Sequence, residues 1–319
     1  MGKYIVRRLL LMIPTIWILT LIVFLLLRVL PGDIAVAILS DPAGGVTASR
    51  ETLEILRHKL GIDRPLHVQY VEWLWNTARG DLGKSLFNGR PVFDDLIVRA
   101  PITAQLALMG LFLGLVIGIP LGTLSAVYQN SPLDYILRII SIVFLAVPNF
   151  WIALLVILGA AVWFDYYPPS GMNLIWENPV DNFKQLFGPA VILGSSGMAT
   201  ISRMTRSTML EVMREDYIRT ARAKGLKERY IIIRHAMKNA LIPVITLAGL
   251  TFAGLMGGTV ILESVFGIPG IGLYFIDAIR LLDYTIVQGA VVVFGLTFMG
   301  ANLIVDLVYG WFDPRISYE

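Results

Sequence analysis

Residues 78–85, Ala-Arg-Gly-Asp-Leu-Gly-Lys-Ser, differ at one position from the phosphate-binding pattern G-x-x-x-x-G-K-S. In that pattern the glycine-rich backbone, the lysine and the serine together hold a nucleotide and its Mg²⁺. The first glycine is replaced by Ala78, and no strand pattern precedes the segment, although a functional loop of this type follows a strand and opens a helix. We therefore predict that residues 78–85 do not bind nucleotide.

Other residues suited to catalysis or metal binding are scarce. The chain has no cysteine, which excludes disulfides, thiolate metal sites and cysteine nucleophiles. Its three histidines, His58, His67 and His235, do not form a close ligand pair of the H-E-x-x-H kind. We expect no metal site, no cofactor bound by this chain and no enzymatic activity of its own.

The strongest chemical signal is a basic segment. Residues 203–238 contain ten of the chain's 26 Lys and Arg, against four acidic residues. Within it Ala221 and Gly225 lie four apart, on one face of a predicted helix that Gly225 ends in a left-handed conformation. A helical pattern resumes over residues 226–235. The segment is either a solvated loop beside a membrane or a surface that a partner protein approaches closely.

The composition of the whole chain indicates a membrane protein. Hydrophobic residues make up 56% and charged residues 15%, against about 45–50% and about 25% in soluble domains, and the mean hydropathy is +0.71. We predict an all-α integral membrane protein with six transmembrane helices. The apolar runs that define them are residues 9–27, 101–128, 139–164, 186–202, 240–262 and 284–305.

The basic segment also predicts the orientation, because short cytoplasmic loops carry an excess of Lys and Arg. The loops after the third and fifth runs are net acidic and are assigned to the outside, which places both termini in the cytoplasm. The first run is longer than the apolar core of a signal peptide, about 7–15 residues, so we interpret it as an uncleaved span. Since the basic segment lies between two spans, we expect no nucleic-acid binding.

Small residues recur at helical spacing in two of the runs. Such stripes let another helix approach closely, so we predict helix-packing faces rather than a pore lining. The glycines concerned are Gly110, Gly114, Gly118 and Gly122 in the second run, and Gly254, Gly257 and Gly258 in the fifth.

The long segment between the first two runs has structure of its own. Leu53, Leu56 and Leu60 share one helical face, and Gly61 is suited to end that helix. Residues 65–79 form a second helical pattern, which Gly80 ends. This outer subdomain is either a scaffold at the membrane interface or a docking site for an extracytoplasmic partner.

The spacing Ala221-x-x-x-Gly225 resembles the EAA loop of ABC-importer permeases. It departs from the E-A-A form, because Arg219 and Thr220 precede Ala221 and the downstream I-x-L-P is absent. Residues 217–225, followed by 235–243, are similar to the first-permease type of the dipeptide and oligopeptide branch, which also includes nickel importers. The same likeness extends to residues 30–33, 80–85, 263–272 and 313–315.

The resemblance implies a type I ABC-importer (MetI-like) permease core. The chain would form half of a translocation path for peptides, working by alternating access. Nickel or glutathione import by the same mechanism is an alternative, as is an ion-coupled secondary transporter, although no run has a charge at its centre. The residues that would couple the chain to ATPase subunits are Asp216, Tyr217, Arg219, Thr220, Ala221, Arg222, Ala223, Lys224, Gly225, Lys227 and Glu228.

The resemblance also implies partners and a location. They are a homologous second permease, two ATP-binding subunits that carry ATP and Mg, and an extracytoplasmic solute-binding protein, in a prokaryotic inner membrane. The expected divisions are residues 1–30 (N-terminal tip and first span), 31–100 (outer subdomain), 101–310 (permease core with coupling loop 203–239) and 311–319 (cytoplasmic tail).

Overall fold

The computed structural model of the chain describes residues 2–29, 34–39, 50–168 and 171–312. Two motifs of the predicted resemblance, residues 30–33 and 313–315, lie outside them. The helices are α1 Gly2–Val29, α2 Ile34–Leu39, α3 Arg50–Leu60, α4 Leu66–Ala78, α5 Val92–Val127, α6 Pro132–Ala146, α7 Asn149–Phe164, α8 Pro179–Val212, α9 Asp216–Ala223, α10 Glu228–Tyr230, α11 Met237–Phe266, α12 Ile271–Leu281 and α13 Tyr284–Phe312; a π-helical turn, Ile231–Ala236, joins α10 to α11.

The all-helical membrane fold is confirmed. In the described ranges four helical stretches are long and apolar enough to cross a membrane, namely Leu10–Arg28, Val92–Val127, Glu228–Phe266 and Tyr284–Ile304. The predicted third run forms a bent pair of helices that counts as a fifth span if both parts cross together. The predicted fourth run lies within α8, whose 34 residues are long enough to cross but include many serines, threonines and charged residues.

The prediction of one continuous helix through residues 139–164 is wrong. Residues 132–146 form α6 and residues 149–164 form α7, with a bend of 95° between their axes. Pro148 lies at the break, with φ −62° and ψ 134°. Because proline has no backbone N–H and disfavours the helical conformation of the residue before it, the helix ends at Ala146 and a new one starts after Pro148.

The chain divides into two compact units. One unit comprises Thr103–Ile268 and the chain from Gly300 onward. In this unit α8 packs against α6, α7 and α11. The predicted glycine face on α5 is confirmed as a packing face. A Cβ added at Gly114 would lie 3.2 Å from the backbone nitrogen of Met198, and one at Gly118 would lie 2.8 Å from the Met198 carbonyl oxygen.

The glycines of α11 differ from this pattern. A Cβ at Gly258 would lie 3.2 Å from a side-chain carbon of Leu193, whereas one at Gly254 or Gly257 would have no atom within 4 Å. Gly258 therefore serves packing within the described residues, whereas Gly254 and Gly257 meet no other helix there, and for these two the packing face stays a prediction.

The other unit comprises Gly2–Ile102 and Pro269–Met299. Its core joins α1, the start of α5, α12 and α13 through buried Leu27, Leu96, Ile271 and Val287. Both predicted helices of the outer segment are confirmed as α3 and α4, and Gly61 and Gly80 follow them with φ of +67° and +86°.

The predicted loop over residues 263–283 contains a helix, and two of its three acids are buried. Residues 271–281 form α12, while Glu263 and Asp283 are only 0% and 1% exposed. Within the first unit Thr103 Oγ1 donates a hydrogen bond of 2.7 Å to Glu263 Oε1. These carboxylates act as buried hydrogen-bond acceptors, which the charge count used for orientation did not show.

Candidate functional site: the basic hairpin

The basic segment folds into a helical hairpin between α8 and α11, defined here as residues 213–236. It contains α9, a turn, α10 and the π-helical turn that continues into α11. Gly225 has φ +76°, the left-handed conformation that favours glycine, and its N–H donates to the carbonyl oxygen of Arg222 at 2.9 Å. The predicted helix–turn–helix and the role of Gly225 in ending the first helix are confirmed.

One face of the hairpin packs on its own chain. Ile218 and Ile231 are 0% and 1% exposed and lie in a cluster with Met209 of α8 and Ala240 of α11. Ala221, 7% exposed, belongs to the same cluster. The hairpin is therefore held against the ends of two long helices by apolar packing.

The opposite face is exposed and polar. Of the eleven residues predicted to couple the chain to a partner, all but Ala221 are exposed. Ala221 was expected to be one of the residues that couple the chain to a partner, but its methyl group lies inside the chain. The small side chain at this position permits close packing of α9 within the hairpin, and the accessible surface is formed by residues such as Arg219, Lys224 and Gly225.

Polar contacts fix the shape of the hairpin. Arg222 Nη2 donates to Glu228 Oε1 at 2.7 Å across the turn, and this hydrogen bond raises the pKa of the Arg222 guanidinium. Tyr217 Oη accepts a hydrogen bond of 2.8 Å from Asn239 Nδ2 at the start of α11. These contacts connect α9 to α10 and to the start of α11.

An ion pair with a buried carboxylate lies near the C-terminal end of α8, close to the hairpin in sequence. Arg206 donates from Nε to Asp134 Oδ1 and from Nη2 to Asp134 Oδ2, both at 2.9 Å. Asp134 is 0% exposed and also accepts hydrogen bonds from Ser125 Oγ at 2.5 Å and from the backbone N–H of Asn130 at 3.0 Å. The pair fixes the start of α6 to α8.

The sequence analysis did not identify this pair. Ser131, with Asp134 three residues later, matches the pattern of a helix N-terminus, and Ser131 Oγ accepts from the Asp134 N–H at 3.3 Å. That signal could have located the start of α6. Nothing in the local pattern indicates Arg206, 72 residues further along, as the partner.

The segment that resembles a phosphate-binding loop has a different structure. It follows α4 and is not followed by a helix until Val92. Ser85 Oγ donates to Asp283 Oδ2 at 2.7 Å, and Asp283 also accepts from the backbone N–H of Leu86 at 3.0 Å. The hydroxyl that would bind Mg²⁺ in a nucleotide site thus donates a hydrogen bond to Asp283 within the same unit. No group of three or more His, Asp or Glu suited to a metal ion occurs among the described residues.

Comparison with known protein families decides the class of the chain. Residues 118–318 match the family model described as a binding-protein-dependent transport system inner membrane component. Residues 1–107 match the model of the N-terminal part of such membrane components. The chain belongs to this family. It is a multi-pass inner membrane component of a binding-protein-dependent transport system, as its apolar helices also indicate.

Individual relatives are similar over their whole length. The chain is 37% identical to a putative peptide transport system permease protein of Brucella suis over 319 residues, and 38% identical to the oligopeptide transport system permease protein AppB of Bacillus subtilis over 321 residues. It is 34% identical to the glutathione transport system permease protein GsiC of Escherichia coli over 319 residues. Each comparison covers 100% of both chains.

A solved structure supports the fold. The chain is similar to a chain of the MetNI methionine ABC transporter in an inward-facing conformation, with a TM-score of 0.57 and 19% identity. The match covers 68% of this chain and 96% of the other. The predicted MetI-like permease fold is therefore confirmed.

Proposed function

We propose that this chain is the permease subunit of an ATP-driven ABC importer and forms half of a translocation path for peptides. The observation that carries the proposal is the basic hairpin, which has an exposed polar face and an apolar face packed on the ends of α8 and α11. Relatives that are 37–38% identical over the whole chain are described as peptide or oligopeptide permeases, which supports peptides as the cargo class.

The hairpin is the proposed element that couples ATP binding to alternating access. Two conformations of the path interconvert when ligands bind one of them more tightly than the other. ATP binding on partner subunits would move α9, and the links from Arg222 to Glu228 and from Tyr217 to Asn239 would carry that movement into α11. The coupling surface is formed by the ten exposed residues of the predicted set, with Ala221 as its internal support.

The proposal includes partners, cofactors and orientation. A second, homologous permease completes the path, two ATP-binding subunits bind ATP and Mg, and an extracytoplasmic solute-binding protein delivers cargo. This chain then hydrolyses no ATP itself and binds no cofactor. The excess of Lys and Arg in residues 203–238 supports a cytoplasmic hairpin with both termini on the same side.

Glutathione is the second candidate cargo. It is itself a short peptide, and the relative described as a glutathione permease is 34% identical over the whole chain. Uptake assays that compare glutathione with dipeptides and longer peptides would distinguish these cargoes.

The test of the proposal is the substitution Gly225→Glu. A Cβ at Gly225 meets no atom within 4 Å, so the new side chain fits, but it adds bulk and negative charge to the exposed turn. Gly171→Glu is the matched control, because Gly171 has φ +88° and equally open space. Both variants carry a similar backbone strain, about 1–2 kcal/mol.

We expect Gly225→Glu to insert into the membrane at normal levels and to reduce ATP-driven peptide uptake at least tenfold, through loss of the contact with the ATPase subunits. Gly171→Glu should retain uptake. Membrane amount is measured by immunoblot and subunit association by co-purification. Normal uptake and association in Gly225→Glu would refute the assignment of the hairpin as the coupling element.

A further inference from the structure

Helix α4 of the outer segment packs on the membrane-spanning part of α1. Tyr70 Oη and Thr20 Oγ1 share a hydrogen bond of 3.1 Å. The ring centroids of Tyr70 and Trp73 lie 5.3 Å and 6.1 Å from that of Phe24. These contacts fix one side of α4 to the face of α1 that carries Thr20 and Phe24.

The depth of this contact follows from its position along α1. The span Leu10–Arg28 ends at Arg28, whose Nη2 donates to Gln69 Oε1 at 2.8 Å. Thr20 lies eight residues before Arg28, which is about 12 Å along the helix axis and most of one half of a hydrocarbon core of about 30 Å. The Tyr70 hydroxyl therefore reaches into the apolar part of the membrane, where its hydrogen bond with Thr20 offsets the cost of burying both groups.

The side of α4 that faces away from α1 is apolar and uncovered. Val68, Val71 and Trp75 are three and four residues apart, so they share one helical face. Val71 is 63% exposed and Trp75 is 59% exposed, so the described residues leave this face open. Glu72 and Asn76 form an exposed polar edge beside it. Helix α4 thus has apolar residues on two sides and a narrow polar edge.

The lipid surface around α1 continues onto this face. Helix α1 exposes apolar Ile22, Leu25 and Leu26 on sides that α4 does not cover, and a membrane span exposes such side chains to acyl chains. Because α4 contacts α1 at Phe24, it lies at the same level along the span as these three residues. Its own exposed apolar face therefore meets the same acyl chains.

The end of α4 carries a pair of side chains suited to the membrane–water interface. Arg79 lies over the ring of Trp75, with 4.4 Å from its guanidinium carbon to the ring centroid. Tryptophan is enriched where acyl chains meet headgroups. An arginine beside it can lay its apolar stem along the ring while its charge reaches the headgroups. This pair places the C-terminal end of α4 at the headgroup level.

We propose that α4 is an interfacial helix that lies in the leaflet where the first span ends. Val68, Val71 and Trp75 contact lipid acyl chains, and Glu72 and Asn76 face headgroups and water. The helix holds the outer segment at the membrane surface. This role depends neither on the solute that is transported nor on the proposed coupling to ATPase subunits.

The test uses the absence of cysteine from the sequence, because each single-cysteine variant then carries one spin label. Val71→Cys, Trp75→Cys and Glu72→Cys are prepared in the full-length chain together with the subunits that co-purify with it. They are labelled with a nitroxide and reconstituted into vesicles of phosphatidylethanolamine and phosphatidylglycerol. Power saturation in electron paramagnetic resonance then measures collisions with oxygen, which concentrates in lipid, and with a water-soluble nickel chelate.

We expect the labels at positions 71 and 75 to collide more with oxygen than with the nickel chelate, and to lie about 5–10 Å below the lipid phosphates. Glu72→Cys is the matched control, because it is the exposed neighbour of Val71 on the polar edge, and its label should favour the nickel chelate. Leu26→Cys, on the exposed surface of α1, gives the reference value for contact with acyl chains.

Two outcomes would overturn the proposal. If the labels at positions 71 and 75 met the nickel chelate as often as the label at position 72, α4 would lie in water. If they met neither reagent, a protein would cover the face, which would assign it to the second permease or to the solute-binding protein. Because the measurement requires no transport, failure of the proposed transport function would leave its result unchanged.

Discussion

Ala221 and Ala223 lie two residues apart on α9 in opposite environments, since Ala221 is 7% exposed and Ala223 is exposed. We expect Ala221→Leu to overpack the cluster around Ile218 and Ile231 and to lower the free energy of unfolding of the hairpin by about 1–3 kcal/mol. Hydrogen exchange of residues 216–236 in the purified chain measures the effect.

Ala223→Leu is the matched control, because it adds the same side chain to the same helix on the exposed face. It should leave hydrogen exchange unchanged and act only on the association with ATPase subunits. If Ala221→Leu left exchange unchanged and weakened only association, Ala221 would be a partner contact, contrary to its position in the structure.

Arg206 is expected to be much more important for stability than Arg203, the other arginine of α8. Its removal in Arg206→Leu leaves the carboxylate of Asp134 buried with only Ser125 and Asn130 as donors, at a cost of about 3 kcal/mol. The double variant Asp134→Leu/Arg206→Leu should recover much of this loss, because no unpaired charge is then buried. Melting curves in detergent would show both effects, and an additive double variant would contradict the pairing.

The residue scale also shows the limit of sequence reasoning. The four-residue spacing of Ala221 and Gly225 correctly indicated a helix with a small face and a left-handed end at Gly225. It did not indicate whether that face meets a partner or the chain itself. Pairs such as Arg206 with Asp134, or Ser85 with Asp283, join residues far apart in the chain, so no periodic pattern contains them.

At the scale of the helix, glycine has opposite effects at different positions. In an open helix Gly→Ala stabilises by up to about 1 kcal/mol. At Gly118 a Cβ would meet the Met198 carbonyl oxygen at 2.8 Å, whereas at Gly254 it would meet nothing within 4 Å. We therefore expect Gly118→Ala to lower the melting temperature of the purified chain, and Gly254→Ala to leave it equal or raise it. Equal stabilisation by both would contradict close packing of α5 on α8.

The presence of a helix was predictable where a residue in the local sequence marks its end. Gly61 and Gly80 mark the ends of α3 and α4 because each takes a positive φ after the last helical turn. The apolar run 139–164 misled because hydropathy does not change at Pro148. A proline by itself indicates either a kink or a complete break of the helix. In the structure the two helices are bent by 95°, and α7 packs beside α8 and α11.

For the whole molecule, composition was sufficient to predict a helical membrane protein, because 56% hydrophobic residues cannot be buried in a soluble chain of this size. It was not sufficient to count spans from apolarity alone. The predicted fourth span coincides with α8, whose serines and threonines donate to the carbonyl oxygens of the preceding turn, as Thr205 does to Ile201 at 2.8 Å. The hydroxyl groups lower the mean hydropathy of the helix, while such hydrogen bonds satisfy them and reduce the cost of placing them in an apolar environment.

The last prediction concerns which subunits of the assembled transporter hydrolyse ATP. Purified alone, this chain should show no ATP turnover, and in the complex Lys84→Ala should leave turnover unchanged within about twofold, since the segment around Lys84 lacks the strand and helix of a nucleotide site. Ser85→Ala should cost about 1–3 kcal/mol of stability, because Asp283 loses a buried hydrogen bond, yet turnover per folded complex should not change. If the isolated chain hydrolysed ATP and Lys84→Ala abolished this turnover, an ATP site would lie on this subunit. That result would refute the proposal that only the partner subunits hydrolyse ATP.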